Sequence, residues 1–211
     1  MSNVSEKIKQ FVGISFWDSI YKALTFRDFF IAAFPACMKR RVQKVRKAQA
    51  RKIEQLQEQG KARVLFFLQT PSVWKYDALY RQLEKSEWFE PIVVVSPYNV
   101  HLNYDKGECF RVMQQTEAFA QQQGYTYTSA YDWTKKKWRD IKKLYQPDIV
   151  FFTKPYKDTL RAYHIYNFPE ALTLYLPYGI NCINLFHNTY GLPFQALLWK
   201  FLVETEFQKR F

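Results

Sequence analysis

The residues best suited to chemistry in this sequence are tyrosines, one lysine and one histidine that follow apolar runs. Three X-Pro-Tyr triplets stand out: Ser96-Pro97-Tyr98, Lys154-Pro155-Tyr156 and Leu176-Pro177-Tyr178. If each run is a strand of one sheet, the triplets gather at one edge. Tyr98, Lys154, Tyr156 and Tyr178, joined by Trp74 from the segment Gln69-Thr70-Pro71-Ser72-Val73-Trp74, then rim a single crevice. Phenol hydroxyls and one ammonium suit a polar acceptor such as a saccharide or a glycerophosphate. X-Pro-Tyr also has a plain structural use, because proline ends a ladder and tyrosine caps a core. The residues alone leave both readings open.

His187, in NCINLFHNTYG after the last strand-like run, is the one candidate general base, since an unperturbed imidazole titrates near neutrality. His164 falls in a predicted short helix and reads as a structural or surface histidine. His101, His164 and His187 lack metal-ligand spacing, and no nucleophile elbow or paired-carboxylate motif is present. No metal site is expected. With six glycines in 211 residues and neither GxGxxG nor GxxxxGK[ST], a backbone phosphate cradle is disfavoured and no cofactor is expected. Cys37, Cys109 and Cys182 are odd in number and form no CxxC, which points to buried thiols in a reducing compartment rather than a disulfide framework or a zinc site.

The elements that must position these residues begin near Lys61. Apolar runs at 63–69, 91–97, 147–153 and 171–179, with a weaker one at 125–130, read as strands. Helical periodicity falls between them at 76–88, 107–124, 135–146 and 158–168, and a long helix is predicted over 191–211. Strands apolar throughout, alternating with helices, mean a parallel sheet covered on both faces. The prediction is a doubly wound, Rossmann-like α/β domain over residues 61–211, of strand order 3-2-1-4-5, whose ligand crevice lies beyond the carboxyl ends of the strands.

Residues 1–60 form a different segment. The net charge of +12 is concentrated at this end, where residues 1–63 hold 14 Lys/Arg against 5 Asp/Glu. Residues 14–38 are amphipathic and aromatic, and Lys39, Arg40, Arg41 and Lys44 open a basic helix that Gly60 should end. Such a pair suits an anionic membrane surface, with Trp17, Phe29, Phe30 and Phe34 at the interface and each nearby cation adding about 1 kcal/mol. Packing of the arm on the body or on a partner is the competing reading. Nucleic acid is not the expected partner, because the basic cluster carries no base-stacking motif. No apolar run reaches 18 residues and no signal peptide is recognisable, so the expected location is cytoplasmic, peripheral on the inner membrane.

KARVLFFLQTPSVWKYDALYRQLEKSEWFEPIVVVSP, QPDIVFFTKPY, LTLYLPYGI and FQALLWKFLVETEFQK together resemble the N-terminal half of bacterial CDP-glycerol glycerophosphotransferase-like proteins, over residues 61–211. The resemblance implies one half of a GT-B arrangement, two Rossmann-like domains facing a cleft, with the acceptor on this half and a CDP-linked donor on the other. It also implies a basic segment that meets the inner leaflet. Family members carry a His-Gly pair after the last strand of this half; here the position reads Pro177-Tyr178-Gly179, and a tyrosine of pKa about 10 is a poor base at neutral pH. The sequence ends at Phe211, where the donor half would begin. The expectation is therefore an acceptor-side domain, incomplete as an enzyme alone, with a separately encoded donor-binding half as partner. The alternative expectation is a non-enzymatic membrane- or partner-binding scaffold.

Overall fold

The computed structural model describes residues 35–98, 105–154, 159–177 and 192–203. Six strands form one parallel sheet: β1 (Ala62–Leu68), β2 (Phe89–Val95), β3 (Tyr127–Ser129), β6 (Ile149–Phe152), β7 (Leu172–Tyr175) and β8 (Lys200–Phe201). Their order is β3-β2-β1-β6-β7-β8, so the chain winds outward from β1 in one direction, then returns and winds outward in the other. The reversal between β1 and β6 is the topological switch point of a Rossmann-like α/β fold. A separate antiparallel pair, β4 (Tyr131–Asp132) and β5 (Lys137–Trp138), follows β3.

Strand side chains alternate, and here both faces are apolar. From β1, Leu65 and Phe67 enter one core with Val94, Val150 and Phe152, while Val64, Phe66 and Leu68 enter a second with Val93, Phe151 and Leu174. The register pairs Phe66 with Phe151, whose rings stack at 4.6 Å and 8°. That two-sided burial is why the strand runs read as continuously apolar. Helix α2 (Asp77–Glu84) covers the second face through Tyr80 and Leu83, and α3 (Lys106–Gln122) reaches it through Ala120. Asp105 caps α3 by accepting from the Glu108 N–H, and Gly124, at φ +69°, takes the left-handed turn that ends it.

The basic segment does form a helix, α1 (Ala36–Glu58), and it packs on the sheet. Val42 and Val45 join the first core and Leu56 the second. Gln49, 4% exposed, donates from Nε2 to the Leu197 carbonyl at 3.1 Å, and Lys52 meets the buried carboxylate of Asp148 at 3.0 Å. Asp148 also accepts from the Gln59 side chain and the Arg63 backbone, which fastens the end of α1 to the start of β1 and β6. The helix thus has a core-facing side as well as a charged one. The aromatic segment with Trp17, Phe29, Phe30 and Phe34 lies outside the described residues.

Three predicted helices differ in the structure. Over 135–146 the chain forms β5 and only a five-residue helix, α4 (Ile141–Tyr145), because Lys136 adopts φ +51° and Asp140 starts the helix by accepting from the Lys143 N–H. Within 158–168 there are two single 3₁₀ turns, Arg161–Tyr163 and Ile165–Asn167, separated by His164 in an extended conformation. Within 191–211 a short helix, α5 (Pro193–Leu197), gives way to β8, where the Trp199 N–H donates to the Thr173 carbonyl and the Leu202 N–H to that of Tyr175. An apolar run with an unsatisfied sheet edge beside it gains ladder hydrogen bonds by extending, which helical periodicity does not reveal. β8 adds a sixth strand to the five expected.

Candidate functional site

At the switch point the carboxyl ends of β1 and β6 are neighbours, and a cavity of about 400 Å³ opens beside them on the first face. Five aromatic rings stand in its wall: Phe67 from β1, Phe152 from β6, Tyr163 and Tyr166 from the 3₁₀ turns, and Phe194 from α5. They brace one another. Phe67 stacks on Phe152 at 5.6 Å and 14°, and Phe194 meets Phe152 edge-on at 5.6 Å. The Tyr163 hydroxyl is spent on the Arg139 and Ala130 carbonyls, so that side chain offers the cavity its ring, and burial pushes its phenol up. Arg41 of α1 lies over Tyr166 at 4.9 Å, linking the basic helix to this wall.

Ile165, Leu192 and Pro193 add hydrocarbon, and four polar side chains complete the described lining: Gln69, Lys154, Thr159 and His164. Gln69 directly follows β1 and is 4% exposed. The Thr153 hydroxyl lies 2.6 Å from its Oε1 and 2.9 Å from the Phe67 carbonyl oxygen, so its single proton is shared between them; the contact holds one end of the carboxamide and turns the other to the cavity. His164 places Nε2 3.0 Å from the Thr159 carbonyl oxygen, so the tautomer protonated there donates to it. The Thr159 hydroxyl is buried and makes no hydrogen bond among the described residues. The same holds for Ser96 at the end of β2. Both hydroxyls depart from the rule that buried polar groups are paired. No carboxylate stands among the described lining residues.

The sequence-predicted rim is partly assembled. Lys154 lies over the Tyr98 ring at 3.6 Å, bringing together the loops after β6 and β2. Trp74 lies on the opposite face of the sheet. Its ring packs on Phe66 and Tyr76, and its indole N–H donates to the Tyr125 hydroxyl at 3.0 Å. Tyr156, Tyr178 and His187 fall outside the described residues. Of the basic residues expected at a membrane, Arg40, Arg41 and Lys44 are exposed on α1, and Lys39 is half-buried. Thr159 and the 3₁₀-turn tyrosines carry no sequence signal as site residues, and Gln69 belongs to the segment singled out after the first strand without being placed on the rim. Only the Gln at a strand's carboxyl end carried a signal, and His164 reaches the wall because the chain around it turns instead of forming a helix.

Among the described residues, no group of three or more His, Cys, Asp or Glu can hold a metal ion, and no helix is long and apolar enough to cross a membrane. The fold and site together define a Rossmann-like α/β protein with a ligand-sized cavity at its switch point. Comparison with protein-family models, with curated proteins and with solved structures finds no match to this chain.

Proposed function

We propose that this chain is the acceptor-side domain of a cell-envelope glycerophospho- or glycosyltransferase, one Rossmann-like half of a GT-B pair. The observation that supports it most is the cavity between β1 and β6, which sits where open α/β sheets bind ligands and carries hydrogen-bond donors and a lysine but no described carboxylate. A phosphorylated acceptor of the glycerophosphate or saccharide kind meets those donors with its phosphate. The turn after β1 runs Gln69-Thr70 into the 3₁₀ turn Pro71–Val73, without the glycines that let a backbone close on a pyrophosphate. In this reading the CDP-linked donor is bound by the partner half.

Titration calorimetry on the full chain tests the assignment. Phosphorylated acceptors should bind and Lys154→Ala should abolish their binding, while CDP-glycerol should give no heat at millimolar concentration. Turnover of CDP-glycerol by this chain alone would overturn the proposal.

The scaffold alternative draws on the outer side of α1, where Arg40, Lys44, Lys47 and Arg51 are all exposed at helical spacing. A row of cations of this kind suits an anionic membrane surface whether or not the cavity takes a substrate.

A further inference from the structure

The chemistry of the cavity wall says more than that an anion enters. The polar side chains of the lining are few, with Gln69 and Lys154 at the strand ends, Thr159 and His164 in the facing turn, and the hydroxyl of Tyr166. The rest is ring and hydrocarbon, the five aromatic side chains together with Ile165, Leu192 and Pro193. An open-chain polyol moved into such a space loses water from each hydroxyl and finds few partners, which costs binding energy. A flat ring loses little on desolvation and gains edge and face contacts with five aromatic side chains.

Resting on the reading of this cavity as the ligand site, we propose that its preferred ligand is a phosphate monoester whose organic part is a ring with apolar faces, and that Gln69 is the residue fixing its orientation. Gln69 is suited to that role because the Thr153 hydroxyl, its proton shared with the Phe67 carbonyl, holds one end of the buried carboxamide and leaves the other end to meet a ligand oxygen or hydroxyl. Lys154 supplies charge at the same strand edge. The Thr159 hydroxyl, buried without a described partner, is the kind of group that a ligand oxygen satisfies.

Calorimetric titration of the full chain with phenyl phosphate, sn-glycerol 3-phosphate and inorganic phosphate, at one pH and ionic strength, tests this. Phenyl phosphate should bind about tenfold or more tightly than the other two, the gain coming from burial of the ring. Gln69→Leu should remove most of its affinity. Because Gln69→Leu also strips Thr153 of a partner, Thr159→Val serves as the second variant. It should weaken phenyl phosphate severalfold while leaving the melting temperature equal or higher, since it deletes an unsatisfied buried hydroxyl. Glycerol 3-phosphate binding as tightly as phenyl phosphate would overturn the ring preference and leave the acceptor-domain reading standing. Absence of binding by all three would overturn both. Unchanged phenyl phosphate affinity in Gln69→Leu and Thr159→Val would show that these residues do not hold the ligand.

Discussion

The Lys154 ammonium stands 3.6 Å from the centroid of the Tyr98 ring, so the loops that follow β6 and β2 meet across the carboxyl end of β1, the strand between them. The contact gives two of the X-Pro-Tyr triplets a shared task. It closes the switch-point edge from above while Tyr76 ties it from the other face, donating to the Phe152 carbonyl and accepting from the Leu176 N–H, both at 2.9 Å.

Tyr98 and Lys154 are both half-buried, and a cation over an aromatic ring in such a setting is worth about 0.5–2 kcal/mol. Tyr98→Leu should therefore lower unfolding stability by about that amount beyond its packing loss, and the excess should vanish in a Lys154→Met background. Urea unfolding of the four proteins of this cycle measures the coupling. Additive single and double variants would show that the contact contributes nothing.

Much of the fold was legible because its cause is local. Four apolar runs predicted β1, β2, β6 and β7, since strands buried on both faces are apolar along most of their length. The site was less legible, because its walls come from residues ordered by distant partners. His164 reaches the cavity only because its segment turns instead of forming a helix, and Gln69 matters through Thr153, 84 residues away. Trp74 carried the right signal, an aromatic after a strand, but the turn Pro71–Val73 sends it to the opposite face, where Tyr125 takes its indole N–H. The long helix predicted over 191–211 was misread for the same kind of reason: β8 exists because β7 offers an edge to pair with.

The packing of α1 predicts that a chain beginning at Lys61 is badly destabilised. It would lose Val42, Val45 and Leu56 from the two cores, at about 1.5–3 kcal/mol for each large side chain. It would also leave Thr173 without Gln49 and Asp148 without Lys52. Those losses are on the order of the 5–15 kcal/mol that holds a domain together. Its circular dichroism melt should be broad or absent where a chain beginning at Pro35 melts cooperatively. Equal melts would place α1 outside the core.

Alkaline pH should unfold the protein from within. Burial raises the phenol pKa of Tyr76 and Tyr163, and burial followed by the hydrogen bond to Asp77 pushes Tyr125 up to about 12. In the unfolded chain these groups titrate near 10. Above that pH the unfolded state releases protons that the folded state retains, so stability present below pH 10 is lost as pH rises toward the folded values. Denaturant midpoints should hold between pH 7 and 9 and fall steeply above 10. Tyr76→Phe should lower stability at pH 8 through its two lost hydrogen bonds, yet flatten the decline above pH 10. A decline as steep in the variant as in the parent would remove Tyr76 as a source.

The outer side of α1 carries Arg40, Lys44, Lys47 and Arg51 at spacings of four, three and four, which aligns them within one narrow arc over about 16 Å of helix. All four are exposed, and none pairs with a carboxylate among the described residues. Because the opposite side of the helix is committed to the sheet, these cations face outward as a fixed row rather than as a loose tail. Each contributes about 1 kcal/mol at an anionic lipid surface, so replacing all four by glutamine should weaken binding to phosphatidylglycerol-containing vesicles by about two to three orders of magnitude at low salt. The fold should be untouched, since none of the four side chains is buried. Raising salt to about 1 M shortens the screening length to about 3 Å and should bring parent and variant together. Vesicle co-sedimentation across a salt series reads both effects. Equal sedimentation of the two proteins at low salt, or parent binding indifferent to lipid charge, would mean that this row of cations does not serve a membrane.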